Sequence, residues 1–468
     1  MREIGEFTEE DRVLAEAQKE QAREFVYQKA EESGIKSSLF IILSVRNQEG
    51  VFTYIKSPEV ERFEAQNIGV PVWYAWTPKG IVKPPLTAPS WENAVRKWNE
   101  EELRIEYVDN WEVRRAYFDP EVVKVKDIIS LRNLAEKRGF KIGMAIDRKP
   151  LKRDPVYKEI AIQESNLMSP DYKTFWDPTR PSRDVYDFTD LDNLVAFGEK
   201  HGMEVFAPAL VYDFSLPDWL TEGDFTREEL IEILHEHVTT FVKHYQGRVV
   251  WQVVGEPVRG RLNPYVGGFW AEKIGPEYIR MACKWAREAD PNAKLFINDG
   301  GVEGMGPWST EVYGQRSEFF YNLVKGLAEE GLIDGVGLQM HVGIKGCPPD
   351  PEWNFPRECP PLEEVAANIA RFAELGLEVR ITEMDVVIGH PPPYTEEELA
   401  ERVKIYRDVL QICLNSPACT AVTTWGVTDK YSWIRSWRKE EWESPLLFDD
   451  EGNPKPAYWA VFDALSRR

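Results

Sequence analysis

The sequence predicts an α/β protein: a (β/α)8, or TIM, barrel with an N-terminal α+β extension. Three observations carry this reading. From about residue 130 onward, strand-sized apolar segments alternate with amphipathic helical ones. Most of the strand segments are apolar throughout, as expected of parallel strands covered on both faces. Glycines stand where helix C-termini should stop, at Gly202, Gly331 and Gly376.

The expected strands are Lys141–Asp147, Glu159–Ser165, Met203–Tyr212, Val249–Glu256, Lys294–Asp299, Gly335–His341, Glu378–Asp385 and Ala421–Asp429. Between them fall helical stretches at Arg227–Tyr245, Pro276–Ala289, Ser317–Glu330, Leu362–Leu375 and Glu396–Leu414, with Ala457–Leu465 last. Eight βα units in roughly 330 residues fit a closed barrel better than an open sheet, and such barrels carry their chemistry at the C-terminal ends of the strands. Residues 126–468 are therefore the expected barrel domain. Residues 1–125 break the alternation and read as an N-terminal extension or small accessory module. There, Thr8 and Asp11 start an amphipathic helix ending near Gly34. Leu39–Arg46 and Val51–Lys56 read as two strands joined by a turn at Asn47–Gly50, and Thr77–Pro89 as a proline-rich connector. Trp73, Tyr74, Trp76, Trp91 and Trp98 read first as packing aromatics and second as a sugar platform.

Composition excludes some partners. The 57 Lys and Arg against 79 Asp and Glu leave a net charge of −22, which disfavours nucleic acid and anionic membranes. No segment reaches the ~18 apolar residues of a membrane span. The chain opens MREIGEFTEED, without a basic then apolar leader, so the expectation is a protein of the cell interior or one read after processing. Abundant Trp and Tyr, 17 and 18 residues, suit stacking on sugar rings as well as core packing. Of five cysteines, Cys413/Cys419 and Cys347/Cys359 are spaced to form two disulfides, with free thiols the equal alternative. No spacing reads as a metal site, and no cofactor motif is present. His235, His237 and His244 share one helix without zinc-ligand spacing and read as its surface. Oligomeric state is left open.

Two glutamates carry the chemistry: Glu256 in WQVVGEPV and Glu383 in VRITEMDV, each closing an apolar strand. They fall on the fourth and seventh strands, across the barrel mouth from each other. Retaining glycosidases need two such carboxyls, one protonated to serve the leaving oxygen and one ionised to attack. The stretches LAEKRGFKIGMAI, VYDFTDLDNLVAFGEKHGM, READPNAKLFINDG, GLIDGVGLQMHVG, VRITEMDV and TTWGVTDKYSWI resemble, in this order, glycoside hydrolase family 10, the endo-β-1,4-xylanase family. The resemblance covers roughly residues 130–468. It implies a retaining β-glycoside hydrolase acting on a polysaccharide or oligosaccharide, with Glu256 as acid/base and Glu383 as nucleophile. It implies that His341 and Asp385 support the nucleophile. A His341 donor held by Asp385 would favour the ionised form of Glu383 and fix its rotamer. Glu164, Gln339, Asn298, Trp425 and Trp433 match sugar-binding or near-site positions.

The family pattern is broken on the glycone side. Gly255 stands where the family has an asparagine that contacts the sugar 2-hydroxyl, a contact that strengthens in the transition state. The family's Glu-Asn-Glu-Met-Lys aligns here with Glu164-Ser165-Asn166-Leu167-Met168, leaving Asn166 as a candidate to restore a lost amide contact. Pro208, Tyr212 and Asp213 stand for a histidine, a tryptophan and a histidine. These changes spare both glutamates. They leave three readings open: a xylanase-like hydrolase, a glycosidase or transglycosylase for a different β-linked glycan, and a non-catalytic glycan-binding barrel. The loop Gly343–Pro361 is expected to shape the leaving-group side.

Overall fold

A computed structural model describes residues 130–171, 176–349, 356–436 and 438–466, and the backbone of four short strands between residues 41 and 82. The chain divides into two compact units. One is Met1–Ser130 with Ser466–Arg468, the other Leu131–Leu465. In the first, β1 (Ile41–Asn47), β2 (Gly50–Lys56), β3 (Tyr74–Thr77) and β4 (Gly80–Val82) form an antiparallel sheet in sequence order. Asn47 pairs with Gly50 across the expected turn. The helix expected before Gly34, most of the proline-rich connector, and Trp73, Trp91 and Trp98 lie outside the described residues, as do the side chains of Tyr74 and Trp76.

The second unit is a closed eight-stranded parallel barrel. Its strands are β5 (Lys141–Ile146), β6 (Leu167–Pro170), β7 (Glu204–Ala207), β8 (Val250–Gly255), β11 (Leu295–Asp299), β12 (Gly335–Leu338), β14 (Glu378–Val387) and β15 (Cys419–Thr424). They pair in that order, and β15 returns to β5. A small hairpin, β9 (Val258–Arg259) with β10 (Tyr265–Val266), follows β8. The short β13 (His341–Gly343) extends β12 beyond a break and also pairs with β14.

Helices α1 (Leu131–Lys137), α2 (Pro155–Glu164), α3 (Thr189–Lys200), α4 (Arg227–His244), α5 (Tyr278–Ala289), α6 (Arg316–Glu329), α7 (Leu362–Glu374), α8 (Glu396–Asn415) and α9 (Pro456–Ser466) alternate with the strands. The first turns of α4 and α8 are fixed by capping boxes, Thr226 with Glu229 and Thr395 with Glu398, which satisfy otherwise orphaned backbone N–H groups. Inside the barrel, Leu167, Phe206, Val250, Phe296 and Ala421 cluster. The buried Arg380 guanidinium lies 5.5 Å from the Phe206 ring and 4.9 Å from Phe296, and pairs with Glu204 at 2.6 Å and Glu378 at 2.7 Å. A buried cation here is balanced by two carboxylates and two ring faces.

The structure corrects three sequence expectations and resolves the cysteine pairing that the sequence left open. Glu159–Ser165 is not the second strand but the end of α2, capped by Asp154 with Pro155 in its first turn. Ile160-Ala161-Ile162 looks strand-like, yet Tyr157, Ile160, Ala161 and Glu164 are the buried positions, which is helical spacing. The strand starts at Leu167 instead. The third strand stops at Ala207, because Pro208 has no N–H to continue the ladder. His237 is not on a helix surface: it is buried, stacked on Trp176 at 3.5 Å, on the same helical row as Ile233 and Phe241. Cys413 and Cys419 form a disulfide between α8 and β15, whereas Cys347 and Cys359 remain thiols. Each of those thiols turns to the carbonyl of its following proline, Pro348 at 3.6 Å and Pro360 at 3.5 Å.

Candidate active site

At the end of β8 the backbone turns sharply. Glu256 adopts φ 51°, a left-handed conformation that costs a non-glycine residue of order 1–3 kcal/mol, and here it precedes a proline, which ordinarily favours extended backbone. The turn is held by the Glu256 N–H donating to the Asn298 carbonyl at 2.7 Å and by Arg259 donating to the Glu256 carbonyl. It swings the carboxyl off the strand axis and into the mouth, half-buried. Across the mouth, β14 carries Glu383 and Asp385 two residues apart, hence on one face of the strand. Met340, at φ 65°, breaks the sixth strand between Gln339 and His341, and its N–H is held by the buried Glu303 at 3.1 Å.

These turns bring the candidates together. His341 is a bridge: Nδ1 lies 2.9 Å from Asp385 Oδ2, and Nε2 lies 3.1 Å from Glu383 Oε2. The second oxygen of Glu383 accepts from Asn298 Nδ2 at 2.6 Å. Asn298 is oriented by Thr382, whose hydroxyl donates to its Oδ1 at 2.7 Å. The Trp433 indole N–H donates to Asp385 Oδ2 at 2.7 Å, and its ring lies 4.9 Å from the His341 ring. Trp425 meets His341 edge-on at 6.2 Å. On the other wall, Glu256 Oε1 accepts from Gln339 Nε2 at 3.0 Å and from the Tyr212 hydroxyl at 3.2 Å.

The electrostatics separate the two walls. Burial would lower the basicity of His341, but the Asp385 carboxylate and hydrogen bonds to Asp385 and Glu383 push its pKa up to about 10. At neutral pH the ring is therefore an imidazolium that donates to both carboxylates. The Glu256 pKa also rises, which for an acid favours the neutral form: burial, then the charges of Glu383 and Asp299, favour the protonated carboxyl. One carboxyl held beside a cation and one inclined to keep its proton, facing across a barrel mouth, is the pairing that glycosidic cleavage uses.

The family model of glycosyl hydrolase family 10 matches residues 130–464. The chain belongs to this family. It is 38% identical over 346 residues to endo-1,4-beta-xylanase B of Thermotoga neapolitana, covering 73% of this chain and 92% of that protein. A beta-1,4-xylanase of Dictyoglomus thermophilum is 34% identical over 358 residues, covering 74% and 93%. The crystal structure of xylanase 10B from Thermotoga maritima superposes with a TM-score of 0.64 at 38% identity, covering 72% of this chain and 98% of that one. A xylobiose complex of xylanase 10B from Thermotoga petrophila gives the same TM-score and identity, covering 72% and 97%. The chain is thus a xylanase-like glycosidase.

Two expected sugar contacts do not join the family 10 site. Glu164 ends α2 and accepts from the Leu131 N–H at 2.8 Å and the Tyr458 hydroxyl at 3.1 Å. Asn166 is buried just before β6, where Oδ1 accepts from the Ile142 N–H at 2.9 Å and Nδ2 donates to the Phe140 carbonyl at 3.0 Å. Both sit at the N-terminal end of the barrel, opposite the mouth, because the second strand begins at Leu167 rather than ending at Ser165. The glycine before Glu256 also has a physical account. A Cβ on Gly255 would lie 2.7 Å from Gln252 Nε2, 3.0 Å from Ala209 Cβ and 3.1 Å from Tyr212 Cδ2. Gln252, Ala209 and Tyr212 already fill the space that a side chain at 255 needs. Gln252, Thr382 and Arg259 are site residues that sequence reading missed. Only Thr382 carried a local signal, as the neighbour of Glu383.

Proposed function

We propose that this family 10 domain hydrolyses β-1,4-linked xylan by double displacement, with Glu383 as nucleophile and Glu256 as general acid/base. The observation that supports this most is the placement of two donors on Glu383, an imidazolium on Oε2 and the Asn298 amide on Oε1. They stabilise a carboxylate aimed at the anomeric carbon. In the first step Glu383 attacks as Glu256 gives its proton to the leaving oxygen. The charge on Glu383 then disappears into the glycosyl ester. Its repulsion is one reason the Glu256 pKa is raised. With that charge gone, Glu256 loses part of its proton affinity and is suited to take a proton from water in the second step.

Xylan is favoured as substrate by the xylanases to which the chain is similar. A second reading, a different β-linked glycan, is favoured by the filled space at Gly255, where the family presents a sugar-contacting amide. The test is reducing-sugar release on xylan, arabinoxylan, mixed-linkage glucan, mannan and aryl β-glycosides. Glu383→Ala serves as control and should lose on the order of 10⁴-fold or more in kcat. Release from xylan that the variant abolishes supports the first reading. Release only from another glycan supports the second. Binding without turnover, equal in Glu383→Ala, would leave a glycan-binding barrel.

A further inference from the structure

The hydroxyl of Tyr212 touches the acid/base itself. Tyr212 lies beyond β7 in a segment laid along β8: the Val211 N–H donates to the Val253 carbonyl at 3.0 Å, and the Gly255 N–H to the Val211 carbonyl at 3.0 Å. This places the Tyr212 ring against Gly255, whose absent side chain gives it room. Phe214 packs on its outer side, 5.4 Å between ring centroids. The Gln339 amide approaches the same carboxyl oxygen from the other flank. Its Oε1 is packed against Gly300, where a Cβ would stand only 2.4 Å away.

An amide N–H can only donate, so Oε1 of Glu256 must accept from Gln339. Two donors on one oxygen leave its lone pairs occupied and favour the acid proton on the other oxygen. We propose that Tyr212 is a positioning residue for proton transfer: with Gln339 it holds Glu256 Oε1 as acceptor, so that the transferable proton resides on Oε2 and is delivered from there. This deepens the proposed function and rests on Glu256 being the acid/base. Cleavage then breaks the Oε2–H bond as the bond from the anomeric carbon to the leaving oxygen breaks, and the proton ends on that oxygen. Oε1 and Oε2 share the resulting charge, and the two donors stabilise it. Burial, with the charges of Glu256 and Glu383, holds the Tyr212 phenol well above its usual pKa, so it remains a donor throughout neutral pH.

The test compares leaving groups. Tyr212→Phe removes one oxygen and keeps the ring packing, which an unchanged melting temperature verifies. Its kcat/KM is measured on xylan, whose leaving oxygen needs protonation, and on a dinitrophenyl β-xylobioside, whose leaving group does not. The expected result is a loss on xylan about tenfold larger than on the activated glycoside, consistent with one hydrogen bond to an ionising group. The basic limb of the kcat/KM profile on xylan should move to higher pH, because removing a donor disfavours the ionised form of Glu256. Equal loss on both substrates, no loss, or an unmoved basic limb overturns the proposal. Glu256→Ala is measured beside it. If its loss does not depend on leaving group, Glu256 is not the acid, and the proposed function fails whatever Tyr212→Phe does.

Discussion

The two walls of the barrel mouth are built on different physics. On the β13–β14 wall, Glu383 and Asp385 share an imidazolium, and Asn298, Thr382 and Trp433 each add a directed hydrogen bond. Fixed charge sets the geometry there. On the β7–β8 wall, the Glu256 carboxyl is held by neutral donors, Gln339 and Tyr212, on a backbone in a left-handed turn. Of the expected departures from the family pattern, Gly255, Tyr212 and Pro208 fall on this second wall. An ion-paired cluster loses several interactions when one member changes, since it leaves buried charges uncompensated. A carboxyl held by neutral donors can exchange those partners while staying in place. Charge networks therefore constrain the Glu383 side, and packing gives the Glu256 side latitude.

Asp385→Asn tests the charged wall and has the largest expected effect of the three variants that follow. It removes the strongest attraction acting on the His341 proton. A loss of about 10–100-fold in kcat is expected, from the 1.5–3 kcal/mol of a charged hydrogen bond. The pH dependence should move with it. His341 has its folded pKa raised from 6.5 to about 10, so the stability it contributes is complete below about pH 6.5 and is lost as pH rises through 10. Thermal melts of the parent should fall across that window. In Asp385→Asn the fall should flatten and shift to lower pH. A pH dependence of the melts unchanged by the variant would break the contrast between the walls.

Gly255→Asn probes the packed wall. Restoring the family residue forces a side chain into space held by Gln252, Ala209 and Tyr212. Overpacking of this kind costs about 1–3 kcal/mol, so a lower denaturant midpoint is expected, with no gain in activity on xylan. A stable variant with a lower KM for xylan would show that the wall can reopen and that the glycine is an accident of drift.

How much of this was readable in the sequence follows the same division. Glu383 and Asp385 stand at i and i+2 in an apolar strand, and the alternation of a strand is enough to put both on one face. His341 belongs to a short strand-end pattern of the same kind. The barrel itself was legible because its strands are apolar on both sides. The filled space at Gly255 was not legible, since Tyr212 meets it only through the pairing of Val211 with Val254. Nor was the break at Met340, which depends on the distant Glu303 carboxylate. Glu164 and Asn166 were misplaced because Tyr157–Ser165 satisfies both helical and extended patterns. Asp154 and Pro155, a helix start, were the signal that resolves it.

Glu164 supplies the smallest expected effect on activity and a control far from both walls. Burial raises its pKa from 4.5 to about 7, against the lowering effect of hydrogen bonds from the Leu131 N–H and the Tyr458 hydroxyl. The folded state thus binds this proton more tightly than the unfolded chain. Its contribution is most favourable below about pH 4.5 and declines as pH rises to about 7, by about 2–3 kcal/mol over that range. Glutamine keeps an acceptor for both donors and cannot ionise. Glu164→Gln should therefore raise stability at pH 8 relative to the parent and leave it nearly unchanged at pH 4.5, as read by urea unfolding at the two values. Its kcat/KM on xylan should follow the parent, because the side chain is engaged at the opposite end of the barrel from Glu256 and Glu383. A large rise in KM would return Glu164 to the sugar-binding role that the sequence suggested, and would mean that the N-terminal end of the barrel communicates with the mouth.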